Sequence, residues 1–132
     1  MAQYFMREAQ CAAADTWYTL HGDGAGGTRA NIVIPQGCSK IVGIMCSAGF
    51  GGTAGVAILC LRLTGNALKE GQQELPLIGC VNVGTSVTAE FEHMPKLKVD
   101  IPVTPGNELI IQVSNSGSDT GTPEFMVGVE VA

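Results

Sequence analysis

The stretch KLKVDIPVTPGNELIIQVSNSGSDTGTPEFMVGVEV, residues 96–131, decides the fold of this 132-residue chain. Apolar residues recur there at every second position through three successive segments. The alternating residues are Leu97, Val99, Ile101 and Val103, then Leu109, Ile111 and Val113, then Phe125, Val127, Val129 and Val131. Because side chains alternate between the two faces of a strand, this period of two predicts three half-buried β-strands. Turns are predicted at the Pro-Gly pair, 105–106, and at the polar run 116–123.

Short β-type runs also fill the chain before residue 96, with Gly, Pro, Asn and Ser between them. They cover 15–22, 31–35, 39–48, 54–63, 74–83 and 86–92. The runs at 39–48 and 54–63 are almost continuously apolar, which is typical of strands covered on both faces. About eight short strands joined by turn-rich loops predict an all-β fold, an antiparallel sandwich or barrel. The length suits a single domain over residues 1–132.

Helical propensity is confined to the N-terminal segment. MREAQCAAA at 6–14 could form two helical turns, since alanine favours helix, whereas 67–74 is interrupted by Gly71 and is predicted to be a loop. We therefore interpret 1–14 as an N-terminal arm or a short helix used in subunit contacts. The first residues lack the plan of a signal peptide. We expect no transmembrane segment, because no stretch approaches the roughly 18 apolar residues of a membrane span.

The composition indicates a surface that other chains cover in part. The chain is 45% hydrophobic and only 14% charged, against about 25% charged in ordinary soluble domains. Exposed apolar surface usually marks an interaction site, so we expect a homo-oligomer. The segments 1–14 and 43–60 are the candidates for packing between subunits, and the glycine-rich tracts 22–27 and 47–55 would let backbones approach closely.

The charges argue against nucleic-acid binding. The net charge is −5, and seven Lys and Arg residues are scattered along the chain. Binding to phosphate backbones needs concentrated positive charge. We therefore expect no direct contact with nucleic acid.

The stretch HGDGAGG at 21–27 can be read as a dinucleotide-binding G-x-G-x-x-G through Gly22, Gly24 and Gly27. Such a loop holds the pyrophosphate against the N-terminal amides of a following helix. The chain instead continues as TRANIVIP, which is β-branched and soon reaches a proline, so no helix of useful length can begin there. A Walker-type loop would also need Gly-Lys-Ser/Thr. We interpret 21–27 as a turn between strands.

Two acidic patterns resemble catalytic signatures. The Asp-Thr-Gly triplet within 118–122 is that of aspartic proteases, which need two such carboxylates. It stands in a polar loop close to the last residue given, so we interpret it as a tight turn. Glu90 and Glu92 share one strand face, whereas glycosidase pairs usually come from different strands across a cleft. We interpret both glutamates as solvent-facing.

The cysteines and histidines show no metal-ligand spacing. The five cysteines are Cys11, Cys38, Cys46, Cys60 and Cys80. The chain contains no Cys-x-x-Cys, and His21 and His93 are isolated. We expect reduced, buried thiols instead of a disulfide framework, because free Cys behaves as a small hydrophobe. The alternative is a site that gathers these residues in space.

These patterns together predict no catalytic, no cofactor-binding and no metal-binding residues, hence no cofactor and no enzymatic activity. A small hydrolase with a convergent site is kept as an alternative. It would need a pocket that holds an acid or a cysteine with a perturbed pKa.

Trp17 and Tyr18 supply a second functional hypothesis, a β-sandwich module that binds carbohydrate or a cell surface. Adjacent residues of a strand face opposite sides of the sheet. The two rings therefore cannot line one sugar-stacking platform without a bulge. The simpler interpretation places one ring in the core and the other at an interface.

From about residue 31 to 132, three quarters of the chain, the layout resembles a viral single jelly-roll capsid protein or a small β-sandwich capsid-decoration (cement) protein. The residues that carry the resemblance are 96–131: strand, Pro-Gly turn, strand, glycine-rich loop and closing strand. Low charge and abundant Gly, Ala, Val and Thr are also similar to virion proteins. Carbohydrate-binding modules share much of this layout.

The resemblance implies a jelly-roll-like sandwich and a structural virion protein, located in the virion after assembly in the host cytoplasm. Its partners would be copies of itself and other virion proteins. Capsid proteins that package single-stranded genomes often carry a basic N-terminal arm, and MAQYFMREAQCAAAD at 1–15 is not basic. This departure favours a shell protein over an inner layer, or a decoration or turret component attached outside a shell.

Overall fold

A computed structural model describes residues 1–8, 16–23, 27–50, 55–83, 96–115 and 123–132. These residues form nine β-strands, and every strand pairing is antiparallel. The strands are β1 (Ala2–Glu8), β2 (Trp17–Thr19), β3 (Asn31–Val33), β4 (Lys40–Phe50), β5 (Gly55–Thr64), β6 (Gln73–Val83), β7 (Lys96–Pro102), β8 (Glu108–Asn115) and β9 (Pro123–Val131). The predicted all-β antiparallel sandwich is confirmed.

The prediction of a helix at 6–14 is wrong for the part that can be seen. Residues 6–8 belong to β1, where Met6 lies opposite Val127 and Glu8 opposite Phe125 of β9. Pairing of all seven residues of β1 with Phe125–Val131 of β9 outweighs a weak local helix propensity. Residues 9–15 and the predicted run 86–92 lie outside the described residues. Within the described parts of the chain, no helix is long and apolar enough to cross a membrane.

The strands form two sheets. The first sheet has the order β1-β9-β4-β7, and the second has the order β2-β8-β5-β6, with β3 also paired to β8. The strands β2 and β3 pair with successive parts of β8: Trp17 lies opposite Ser114 and Thr19 opposite Gln112, whereas Asn31 lies opposite Ile110. They therefore occupy one position in the second sheet, and the described residues 21–23 and 27–30 form an excursion between them.

The pairings are nested. With β2 and β3 counted as one strand, the first strand pairs with the last (β1 with β9), and the second with the seventh (β2 and β3 with β8). The third pairs with the sixth (β4 with β7), and the fourth with the fifth (β5 with β6). This is the pattern of one long hairpin folded over itself. The further pairs β4 with β9 and β5 with β8 then complete the two sheets.

The core lies between the sheets and follows the predicted alternation. Fully buried positions include Leu109, Ile111 and Val113 of β8 and Phe125, Val127, Val129 and Val131 of β9. Leu97 departs from this pattern, since 46% of it is exposed. Leu97 belongs to β7 and lies opposite Ile44 of β4. Because β7 is the edge strand of its sheet, no strand among the described residues covers the other side of Leu97.

In the part of β4 whose side chains are described, residues 40–46, buried side chains lie on both faces, as the continuous apolar run predicts. A register shift between Ile41 and Gly43 changes which residues face the core, so that Ile41 and Ile44 are both fully buried. Met45 points to the outer face and is only 8% exposed. The shift also places Gly43 on the outer face.

Candidate interaction surface

The excursion between β2 and β3 joins the two sheets at one edge. His21 leaves the second sheet and pairs with Arg7 of β1 through two backbone hydrogen bonds, each 2.9 Å long. The imidazole Nδ1 of His21 also lies 3.0 Å from Glu8 Oε2. Arg7 is therefore already paired on its outward side, and the open part of the β1 edge lies on the N-terminal side of Arg7.

Of the glycine-rich stretch 21–27, residues 21–23 and 27 belong to this excursion, and residues 24–26 lie outside the described residues. The base of the excursion is closed by a hydrogen bond of 2.8 Å from Gly22 N to Arg29 O. The Asp23 carboxylate accepts hydrogen bonds from the backbone N–H groups of Thr28, at 3.1 Å, and Arg29, at 3.0 Å. These backbone bonds, with that of Thr28 the larger, lower the pKa of Asp23. The chain then runs from Gly27 into β3, where a dinucleotide site would require a helix.

A cleft of about 400 Å³ lies between β1 and β3. Gln3, Tyr4 and Phe5 line one wall, Asn31 and Val33 line the other, and Arg29 and Gly22 border it as well. The buried residues Met6 and Ile32 also contribute to its lining. The cleft is therefore walled by two strand edges and has a largely apolar lining.

Exposed apolar side chains gather around this cleft. Among the residues whose side chains are described, which leaves out 47–59 and 75–95, the exposed large hydrophobic side chains are Met1 (85%), Val33 (55%), Leu97 (46%) and Phe5 (43%). Phe5 and Val33 line the cleft, and Met1 immediately precedes β1. Three of these four side chains therefore lie on or beside one pair of strand edges.

The backbone at these edges points outward. Residues of an antiparallel strand direct their N–H and C=O groups alternately to either side. The backbone N–H and C=O groups of Arg7 point away from β9, towards His21. Because the direction alternates along the strand, the N–H and C=O groups of Gln3 and Phe5 also point away from β9. On β3, Ile34 N donates to Asn107 O of the β8 side, so Asn31 and Val33 point away from β8. No strand within the described residues pairs with these outward groups.

An ion-pair network covers the outer face of the first sheet. Glu130 is only 5% exposed, and its carboxylate accepts a 2.8 Å hydrogen bond from Gln3 Nε2 and one from Lys96 Nζ. The bond from Lys96 and then that from Gln3 lower the pKa of Glu130. Lys96 reaches β9 from β7 by passing over Gly43, where an added Cβ would lie 2.6 Å from its Cε. Through Gln3, Glu130 and Lys96 the network links the side chains of β1, β9 and β7.

An aromatic ring continues this surface towards the cleft. Phe5 lies over Gly128 of β9, where an added Cβ would come within 2.6 Å of the ring. Met45 contacts the same position from β4. Arg7 forms an ion pair with Glu124 beside them. The outer face therefore changes from charged pairs to apolar side chains at the β1 edge.

The outer face of the second sheet carries Trp17. The Arg62 guanidinium lies 4.3 Å from the centre of the indole ring. Arg62 also donates to Gln112, which in turn donates to Thr19, at 2.8 and 3.1 Å. Tyr18 packs against the core on the opposite side. The two aromatic residues are therefore on different faces, as predicted.

A depression of about 160 Å³ adjoins the indole of Trp17. Cys60, Leu61 and Glu74 complete the lining. The Arg62 guanidinium lies over the indole ring. The depression therefore offers a ligand only a small area of the Trp17 ring. It is less than half the volume of the cleft between β1 and β3.

Within the described part of the chain, Cys38 and Cys46 carry free thiols. Cys38 and Cys46 are buried, and Cys60 is partly buried. Burial raises the pKa of the Cys46 thiol to about 12. In the part of the chain that the structure describes, no three His, Cys, Asp or Glu side chains are grouped so that they could hold a metal ion. Cys11, Glu90, Glu92, His93 and the triplet within 118–122 lie outside the described residues, as does the side chain of Cys80.

The residues of this surface were found only in part from the sequence. The segment 1–14 was predicted to make subunit contacts, but no pattern identified Asn31 and Val33 as its neighbours. Glu130 stands among apolar residues in EFMVGVEV, and its partners Gln3 and Lys96 are distant in the sequence. No family model matches the chain, and no curated protein matches it either.

Proposed function

We propose that this protein is a structural virion protein, a subunit of a capsid shell or of a decoration (cement) layer, which self-associates through apolar surface. The nested strand pairing carries the proposal. With β2 and β3 counted as one strand, the order matches an eight-stranded jelly roll, which is common among viral capsid proteins. Fold alone does not define function, so the surface has to support the same conclusion.

The surface supports assembly in two ways. The chain carries only 14% charged residues, whereas exposed apolar groups cluster at the β1 and β3 edges. Interfaces are depleted in charged residues at their centre. Copies of the chain, and other virion proteins, would complete this surface in a virion assembled in the host cytoplasm. The proposal includes no enzymatic activity and no cofactor.

Electron microscopy of the purified protein, with light scattering on the same sample, tests this function. Regular closed particles would support a shell role, and ordered binding to shells isolated from the native source would support a decoration role. A mass of 13.7 kDa at every concentration, without binding to such shells, would contradict both.

Binding of carbohydrate is the second candidate, because the indole of Trp17 borders a depression beside Glu74. An aromatic ring next to a carboxylate can stack on a sugar and accept its hydroxyl hydrogen bonds. A glycan array decides this. Binding that disappears in Trp17→Ala and persists in Tyr18→Phe would support the module, and an array without signal would reject it.

A further inference from the structure

We propose that the open edge of β1 pairs with the same edge of a second copy, so that two four-stranded sheets join across a two-fold axis. The inference rests on the proposed self-association and names the strand that would carry it. Self-complementary two-fold contacts are the commonest way in which soluble chains associate. The residues of β1 meet the requirements of such a contact in backbone, side chains and charge.

The edges of the first sheet are unequal. The β7 edge carries the exposed residues Lys96, Lys98 and Asp100, and its register with β4 is broken by a bulge. Charges and bulges are the usual means by which edge strands avoid pairing. The first six residues at the β1 edge, MAQYFM, include no charged side chain. The β1 edge is thus built without the protection that the β7 edge has.

Backbone geometry selects one register. The N–H and C=O groups of Gln3 and Phe5 point outward, and those of Arg7 are already bonded to His21. An antiparallel contact that uses Gln3 and Phe5 on both chains places Gln3 opposite Phe5 of the second copy. Each such pair exchanges two backbone hydrogen bonds.

The same register brings together the partly buried Tyr4 and the exposed Phe5 of the two copies. Tyr4 falls opposite Tyr4 of the second copy, at the cleft, in the closer kind of cross-strand pair. On the outer face, Phe5 becomes the diagonal neighbour of Phe5 of the second copy, about 7–8 Å away and within reach of an aromatic ring. The pairing is confined to Gln3, Tyr4 and Phe5, because His21 already occupies the position beside Arg7 where Met1 of the second copy would otherwise lie. Exposed apolar side chains of both copies are covered at once.

A second copy suits this edge better than an unrelated peptide. A peptide strand would cover one set of outward N–H and C=O groups and one exposed Phe5. The two-fold contact covers both sets with the same residues. The net charge of −5 per chain opposes association at long range, and the proposed contact residues Gln3, Tyr4 and Phe5 add no charged side chain to that repulsion.

Phe5→Lys tests the contact directly, because charged side chains block edge pairing. The matched control is Leu97→Lys, which changes a side chain of similar exposure, 46% against 43%, on the β7 edge. Sedimentation equilibrium should give twice 13.7 kDa, or a multiple of it, for wild type and Leu97→Lys. We expect Phe5→Lys to weaken this association by at least about tenfold.

Gln3→Pro supplies an independent test of the backbone. Proline removes the outward N–H of residue 3 and leaves the hydrogen bonds of β1 to β9 in place, since those come from the even-numbered residues. The control is Gln3→Leu, which removes the side-chain bond to Glu130 but keeps the N–H group. The inference expects Gln3→Pro to lose association to the same extent as Phe5→Lys, and Gln3→Leu to keep it. Circular dichroism confirms that each variant is folded.

The outcomes separate this inference from the proposed function. If the wild type associates and both Phe5→Lys and Gln3→Pro associate equally well, the β1 contact is wrong, whereas self-association stands. If the wild type remains at 13.7 kDa at all concentrations, both are wrong. Loss of association in Leu97→Lys as well as in Phe5→Lys would also overturn the choice of β1, since any added lysine would then suffice.

Discussion

Replacing Phe125 and Phe5 by alanine separates what holds this sandwich together from what it offers to a partner. Phe125 points into the core and is fully buried, whereas Phe5 lies on the outer face and is 43% exposed. We expect Phe125→Ala to lower the free energy of unfolding by about 3–5 kcal/mol, the sum of lost burial and a residual cavity. Phe5→Ala removes a ring that is little more than half covered and should cost about 1 kcal/mol.

Urea unfolding followed by the fluorescence of Trp17, the single tryptophan of the chain, measures both changes. At about 2 kcal/mol per molar urea, the midpoint should fall by roughly 2 M for Phe125→Ala and by about 0.5 M for Phe5→Ala. The protein is kept dilute so that association does not contribute. Equal shifts for the two variants would refute the assignment of Phe5 to the outer face and of Phe125 to the core.

Further predictions concern a turn, an outer-face carboxylate and a buried thiol. Gly65 has a φ of 106°, and a Cβ added there would lie 2.3 Å from Glu108 O. Gly37 has a φ of 90°, but a Cβ added there would meet open space. Gly65→Ala should therefore destabilise the protein by about 1–2 kcal/mol more than Gly37→Ala in thermal unfolding. The lowered pKa of Glu130 contributes stability above the ordinary carboxyl pKa, and that stability is lost as the pH falls through the lowered value. Glu130→Gln should thus be less stable than wild type at pH 7 and converge with it in acid, and a constant difference across the titration would be contrary to this account. Because burial raises the pKa of Cys46 to about 12, iodoacetamide at pH 8 should label it only after unfolding, and mass spectrometry showing native labelling would contradict its burial.

The period of two in 96–131 was sufficient to predict β7, β8 and β9, because alternation over three segments has few other interpretations. The inward set of β9 from Phe125 to Val131 is buried throughout. The N-terminal strand was missed for a physical reason. Alanine and glutamate in 6–14 favour a helix locally, but β1 is stabilised by pairing with β9, more than a hundred residues away.

The arrangement of the surface could not be predicted from short sequence patterns. The break between β2 and β3 depends on His21, which pairs with Arg7 of the other sheet. The covered Glu130 depends on Gly43, whose missing side chain lets Lys96 pass over β4. Each of these features joins residues that are distant along the chain, so no spacing rule contains them.

Hydrogen exchange at the backbone amides of Gln3 and Phe5 tests most directly whether the β1 edge is completed by another copy. The measurement is made at two protein concentrations, one below and one above the onset of association. The account predicts rapid exchange in dilute protein and exchange slowed by at least about tenfold in concentrated protein, with the amide of Lys98 on β7 unchanged. Exchange at Gln3 and Phe5 that is equally fast at both concentrations, while the protein is visibly associated, would contradict it.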